Sequence, residues 1–159
     1  MSAQPINYKA LIPDFGVYSP YSPLIVAVEF EFNPEATAAY AAEYRQILLD
    51  DEFTPPHAPY LLMPSMKEVF LWRRETARGA LPDYVAPATP VLQHYAPVLS
   101  YDGTWWSRNA ITVPFRRWLN ALVTMQRVPA YDFEPDRILV ESGVYEQIHH
   151  GQLRIKEED

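Results

Sequence analysis

The chain has 159 residues, 48% of them apolar, a formal net charge of -7 and no cysteine. That length and apolar share suit one domain with a single core. The acidic balance excludes general polyanion binding, which leans on phosphate neutralisation by a basic surface. The lack of thiols excludes disulfides, thiolate metal sites and cysteine nucleophiles.

Met1 to Ala10 has neither a basic start nor an apolar run, and no stretch approaches about 18 apolar residues. We therefore expect no secretory leader, no membrane association, and a chain kept in the cytoplasm or built into a particle made there. With 16 prolines against 5 glycines the connections are stiff. Aromatics reach 14%, and arginine outnumbers lysine. Arginine and aromatic residues are the side chains enriched at protein interfaces.

Residues 1–23 carry Pro5, Pro13, Pro20 and Pro23 and end in the tandem Tyr18-Ser19-Pro20 and Tyr21-Ser22-Pro23. Each proline drives its predecessor towards extended geometry, so this stretch reads as an arm preceding a single domain over residues 24–159. Tyr18 and Tyr21 are candidates to lie on a groove of this or another chain.

Leu24 to Phe32 alternates as a strand, with Val26, Val28, Phe30 and Phe32 on a core face and Ala27, Glu29 and Glu31 on a face expected to be wet. Asn33 then caps a helix that Pro34 and Glu35 open. Its apolar stripe is Ala36, Tyr40, Tyr44, Ile47 and Leu48. Ala38, Ala41 and Ala42 form a second, smooth face.

Tyr60 to Met63 is a short strand. Ser65 and Glu68 have capping-box spacing and predict a second helix, with Met66, Val69, Phe70 and Arg73 on one face and Gly79 as its stop. Arg73, Arg74 and Arg78 would then sit at its carboxyl end, placed to complement the dipole or to grip an anion on a partner. Val91 to Tyr95 reads as a short edge strand.

Asp102-Gly103 predicts a two-residue hairpin between Val98 and Ser107, placing Trp105 and Trp106 on opposite faces and making Trp105 a contact candidate. Ala110 to Val113 extends the sheet before Pro114 opens a third helix bearing Phe115, Trp118, Leu119 and Leu122. Arg137 to Glu141 reads as a strand. Val144 to Ile148 is a strand paired with Gln152 to Lys156, or a short helix running to His150.

No phosphate-cradling loop, nucleophile elbow or zinc-protease helix occurs. Glu29 and Glu31 would lie about 7 Å apart on one strand face, a spacing shared by paired carboxylates and by ordinary solvated strand charges. Glu146, His149 and His150 have metal-ligand spacing on a helix, but in one copy where bundle sites need two. His57 and His94 lack ligand spacing. No catalytic residue, cofactor or metal is assigned.

The expected fold is α+β, a mainly antiparallel sheet with about three helices packed on it. The expected function is that of a non-enzymatic structural or assembly protein, a subunit of a larger particle such as a phage virion, neck or tail. It would bind protein neighbours as a homo- or hetero-oligomer through Tyr18, Tyr21, Trp105 and the arginines 73, 74 and 78. Two rivals are a small enzyme or ligand-binding domain with a pocket near Tyr40, Tyr44, Trp72 or Trp118, and an acidic inhibitor presenting Glu29, Glu31, Asp50, Asp51 and Glu52.

Overall fold

The computed structural model describes residues 15–21, 23–50, 58–95 and 109–155. The expected Asp102-Gly103 hairpin with Trp105 and Trp106, His57, Asp51 and Glu52 lie outside the described residues. The fold is α+β: a six-stranded, mostly antiparallel mixed sheet with five helices among the described residues.

In chain order the elements are β1 Phe15–Tyr18, β2 Leu24–Val28, α1 Ala38–Asp50, β3 Tyr60–Pro64, β4 Glu68–Arg73 and β5 Tyr84–Pro87. They continue with α2 Thr89–Tyr95, α3 Asn109–Val123, α4 Glu134–Glu141, α5 Val144–Ile148 and β6 Gln152–Ile155. The strand order is β5-β4-β3-β2-β1-β6. Residues 15–18, within the stretch read as an arm, thus form a strand between β2 and β6.

Among the described strands only β2 and β3 run parallel, and α1 lies in the crossover between them. The central strands are buried on both faces. Along β3 and β4, Tyr60, Leu62, Val69 and Leu71 point into a core shared with α2 to α5, whereas Met63, Phe70 and Trp72 point to the opposite face, under α1. Val26 and Val28 join the larger core with Phe30, as their alternation implies.

Several expectations fail for identifiable reasons. The predicted helix after Ser65 is β4. Glu68 N–H donates to Ser65 Oγ at 3.1 Å, the bond a capping box uses, but Ser65 N–H also donates to the Glu68 carbonyl and closes a hairpin. The following run, Val69-Phe70-Leu71-Trp72, is buried throughout, and a doubly buried strand has no period to distinguish it from a helix segment.

Helix α1 begins at Ala38, a turn later than predicted: Asn33 Oδ1 accepts from Glu35 N–H, and Thr37 Oγ1 from Tyr40 N–H. It buries its smooth face, Ala41 and Ala42 with Arg45 and Leu48, against the sheet, leaving Tyr40 and Ile47 exposed. Small side chains let the helix axis approach large ones, Phe70 and Trp72. Glu29 and Glu31 are buried, not wet.

Residues 91–95 and 137–141 are helical where strands were expected, and 110–113 belong to α3. Pro90 and Pro135 lie in first turns, where proline costs no hydrogen bond, and Pro114 sits inside α3 instead of opening it. Segment 144–148 is the short helix of the two alternatives, and β6 pairs with β1.

Two buried charged groups fix the loops around this frame. The Arg45 guanidinium donates to the carbonyls of Ala77, Thr76 and Arg73 and stacks 5.7 Å from the Trp72 ring. Burial pulls its pKa below the ordinary guanidinium value, partly offset by Asp83. The fully buried Asp136 carboxylate accepts from Trp118 Nε1 at 2.7 Å, from both terminal nitrogens of Arg127 and from Ala130 N–H.

The hydrogen bonds from Asp136 hold the Arg127 pKa above its ordinary value against the opposing effect of burial. Arg127 Nε also donates to Tyr95 Oη, so one residue pair joins α2, α3 and α4. Breaking a buried pair by removing one partner strands the other charge, at about 3–5 kcal/mol. We expect Asp136→Ala to lower unfolding stability by about 3 kcal/mol in urea melts, and Arg127→Lys, which cannot reproduce the fork, by less.

Candidate functional site

The described concave site lies between the β1–β2 turn and α5. The turn is rigid for local reasons: Ser19 N–H donates to the Pro23 carbonyl at 3.0 Å and Tyr21 N–H to Ser19 Oγ at 3.3 Å, with prolines at 20 and 23. Ser19, Pro20 and Tyr21 of the tandem therefore form the tip of a hairpin, with Tyr21 89% exposed at its end. Tyr18, at the end of β1, lies under the Arg154 guanidinium, 4.4 Å from its ring centroid.

The other wall follows from Gly143 and Gly151. Gly143 has φ +88, a conformation that favours glycine, and turns the chain between α4 and α5. Tyr60 Oη donates to the neighbouring Ser142 carbonyl at 2.8 Å and ties that turn to the sheet. Gly151 ends the α5 segment in contact with Tyr18: an added Cβ would stand 1.9 Å from the Tyr18 carbonyl oxygen and 2.7 Å from that of Ile148.

Between these walls is a half-open groove of about 540 Å³. Pro20, Tyr21, Pro23 and Ile25 give an apolar side. Glu146, Gln147, His149 and His150 give a polar one, with Ser19 at the turn. The imidazoles of His149 and His150 are 5.2 Å apart, and His149 Nδ1 lies 3.1 Å from the Tyr145 carbonyl, to which a proton on that nitrogen donates. His150 adopts φ 65, and its N–H donates to the Val123 carbonyl, docking the segment on α3.

Two features distant in sequence, the Tyr-Ser-Pro tandem and the Glu-x-x-His-His segment, thus face each other. Among the described residues no group of three histidine or acidic side chains converges to hold a metal. A volume of this size lies within the range of ligand pockets, about 300–1,000 Å³. Its open side equally suits an extended chain.

The other candidates lie elsewhere. Arg73 ends β4 and donates to Tyr84 Oη at 2.8 Å, Arg78 pairs with Asp50 on the surface, and Arg74 is exposed with its N–H on the Pro59 carbonyl. They belong to the β4–β5 end of the sheet, on a strand and its turn, and not at a helix carboxyl end. Trp72 and Trp118 are fully buried and donate to Ala80 O and Asp136, while Tyr40 and Tyr44 lie on α1. None of the four lines the groove.

With Glu29 and Glu31 buried, an acidic surface built on them does not form. The sequence offers Glu146, His149 and His150 as metal-ligand spacing alone, and nothing in it pairs residues 146–150 with residues 19–25. The signal that bears on it is Gly151, a small residue between two histidines and a strand.

Comparison of the chain with protein-family models, with curated proteins and with solved structures found no match. No helix among the described residues is long and apolar enough to cross a membrane.

Gly151 allows a test of how the walls are joined. Gly151→Ala forces backbone apart where nothing flexible can yield, and overpacking of this kind costs about 1–3 kcal/mol. We expect a fall of about 2 kcal/mol or more in denaturant melts, with faster amide exchange in β6 than in β4.

Proposed function

We propose that this chain is a non-enzymatic structural or assembly protein, a subunit of a larger particle such as a phage virion or its neck or tail. It holds a neighbouring protein at the groove between residues 19–25 and 146–150. The supporting observation is the exposure of Tyr21 on a braced hairpin tip beside an apolar, half-open groove.

A large aromatic on a braced backbone adds little backbone ordering cost on binding, and such residues dominate interface energetics. The interior supports the same reading. The largest aromatic side chains near the sheet are packed and hydrogen-bonded in the two cores, with their polar atoms already engaged. The groove offers a partner apolar residues on the surface, Pro20, Tyr21, Pro23 and Ile25.

The test compares the wild-type chain with Tyr21→Ala in particles assembled in the native source. A contact anchor contributes about 2 kcal/mol or more, roughly thirtyfold in affinity. Tyr21→Ala should leave the chain folded, as read by its circular dichroism, while cutting the particle-bound fraction at limiting concentration. A chain that sediments as a monomer in native extracts, with no change on Tyr21→Ala, would contradict the proposal.

A further inference from the structure

We infer that the occupant of the groove is an extended, proline- or leucine-bearing peptide segment of a partner protein that carries a lysine or arginine. This inference rests on the groove being the docking site and adds the chemistry of what docks. Three observations carry it.

First, the groove is open along one side and has a continuous apolar wall of Pro20, Pro23 and Ile25 with Tyr21 at its rim. A chain can pass through such a space, and prolines or aliphatic side chains fit against tyrosine and proline rings as in other aromatic-lined peptide grooves. Second, Glu146 is the one carboxylate among the described lining residues, and none of those described residues is a lysine or arginine.

Third, Arg154 of β6, held over the Tyr18 ring and on Gln152 Oε1, is not among the described lining residues, and the whole chain carries a net charge of -7. Local and overall charge therefore favour a basic segment in approach and in register. An acidic segment meets the Glu146 carboxylate with no lysine or arginine among the described lining residues.

The probes are three capped pentapeptides, Pro-Lys-Leu-Lys-Pro and its glutamine and glutamate counterparts. Each is titrated into the full chain at about pH 8 and low salt, and followed by NMR at Tyr21, His149 and His150 and by calorimetry. The lysine peptide should bind about two- to fivefold more tightly than the glutamine peptide, the share expected of one exposed carboxylate. The glutamate peptide should bind most weakly.

Glu146→Gln should make the lysine and glutamine peptides equal, as should about 0.5 M salt, which screens such pairs. Tyr21→Ala should weaken all three. If the three peptides bind equally in the groove, or the glutamate peptide binds best, the assignment of a basic occupant is overturned while the groove stands as a docking site. If none perturbs the groove residues, both the occupant and the docking site are overturned.

Discussion

The contact on which the site depends is the approach of Gly151 to the carbonyl of Tyr18. At that point the segment leaving α5 crosses the end of β1 with no room for a side chain. β6 then pairs with β1 from Tyr18 opposite Gln152 to Phe15 opposite Ile155. The turn that begins at Ser19 and the helix that ends at Ile148 are therefore set by one backbone crossing. The groove is the space left between them, and its width follows from the absence of a single methyl group.

The rest of the architecture holds that crossing in place. β1 lies between β2 and β6, and Phe15 and Val17 enter the large core beside Val26, Val28, Leu122 and Ile148. Helix α3 supports the His149-His150 segment through the Val123 carbonyl, and the Asp136–Arg127 pair fixes α3 against α4. Arg45 performs a similar task at the far end, donating to the carbonyls of Arg73, Thr76 and Ala77, two of which also accept from Thr76 N–H and Ala80 N–H. Polar side chains thus fix loops, and apolar side chains fix layers.

Part of this was legible in the sequence. The α+β class, the strand at Leu24, the helix that follows it, the strand at Tyr60 and the apolar face of α3 all follow from periodicity and local turn chemistry. Ser65-x-x-Glu68 was misleading because one serine–amide bond serves both a helix cap and a hairpin, and the choice lies with burial on both faces of β4. The face of α1 was misassigned because tyrosine and isoleucine outrank alanine in hydrophobicity, whereas the sheet already supplies the bulk and requires small partners. The burial of Arg45 and Asp136 is a tertiary property: their donors and acceptors come from loops 28 to 32 residues away for Arg45, and from α3 and its following loop for Asp136. The groove was illegible for the same reason, since its walls are about 120 residues apart in the chain.

Two sequence features that looked unrelated therefore form one surface, and its role is tested most directly by hydroxyl-radical footprinting of the chain free and in its native assembly. Tyr21, His149 and His150 should lose reactivity together on assembly, while Tyr131, 69% exposed on the α3–α4 loop, keeps it. Unchanged reactivity at Tyr21, His149 and His150 with protection at Tyr131 would contradict the account and move the interface to the α3–α4 loop.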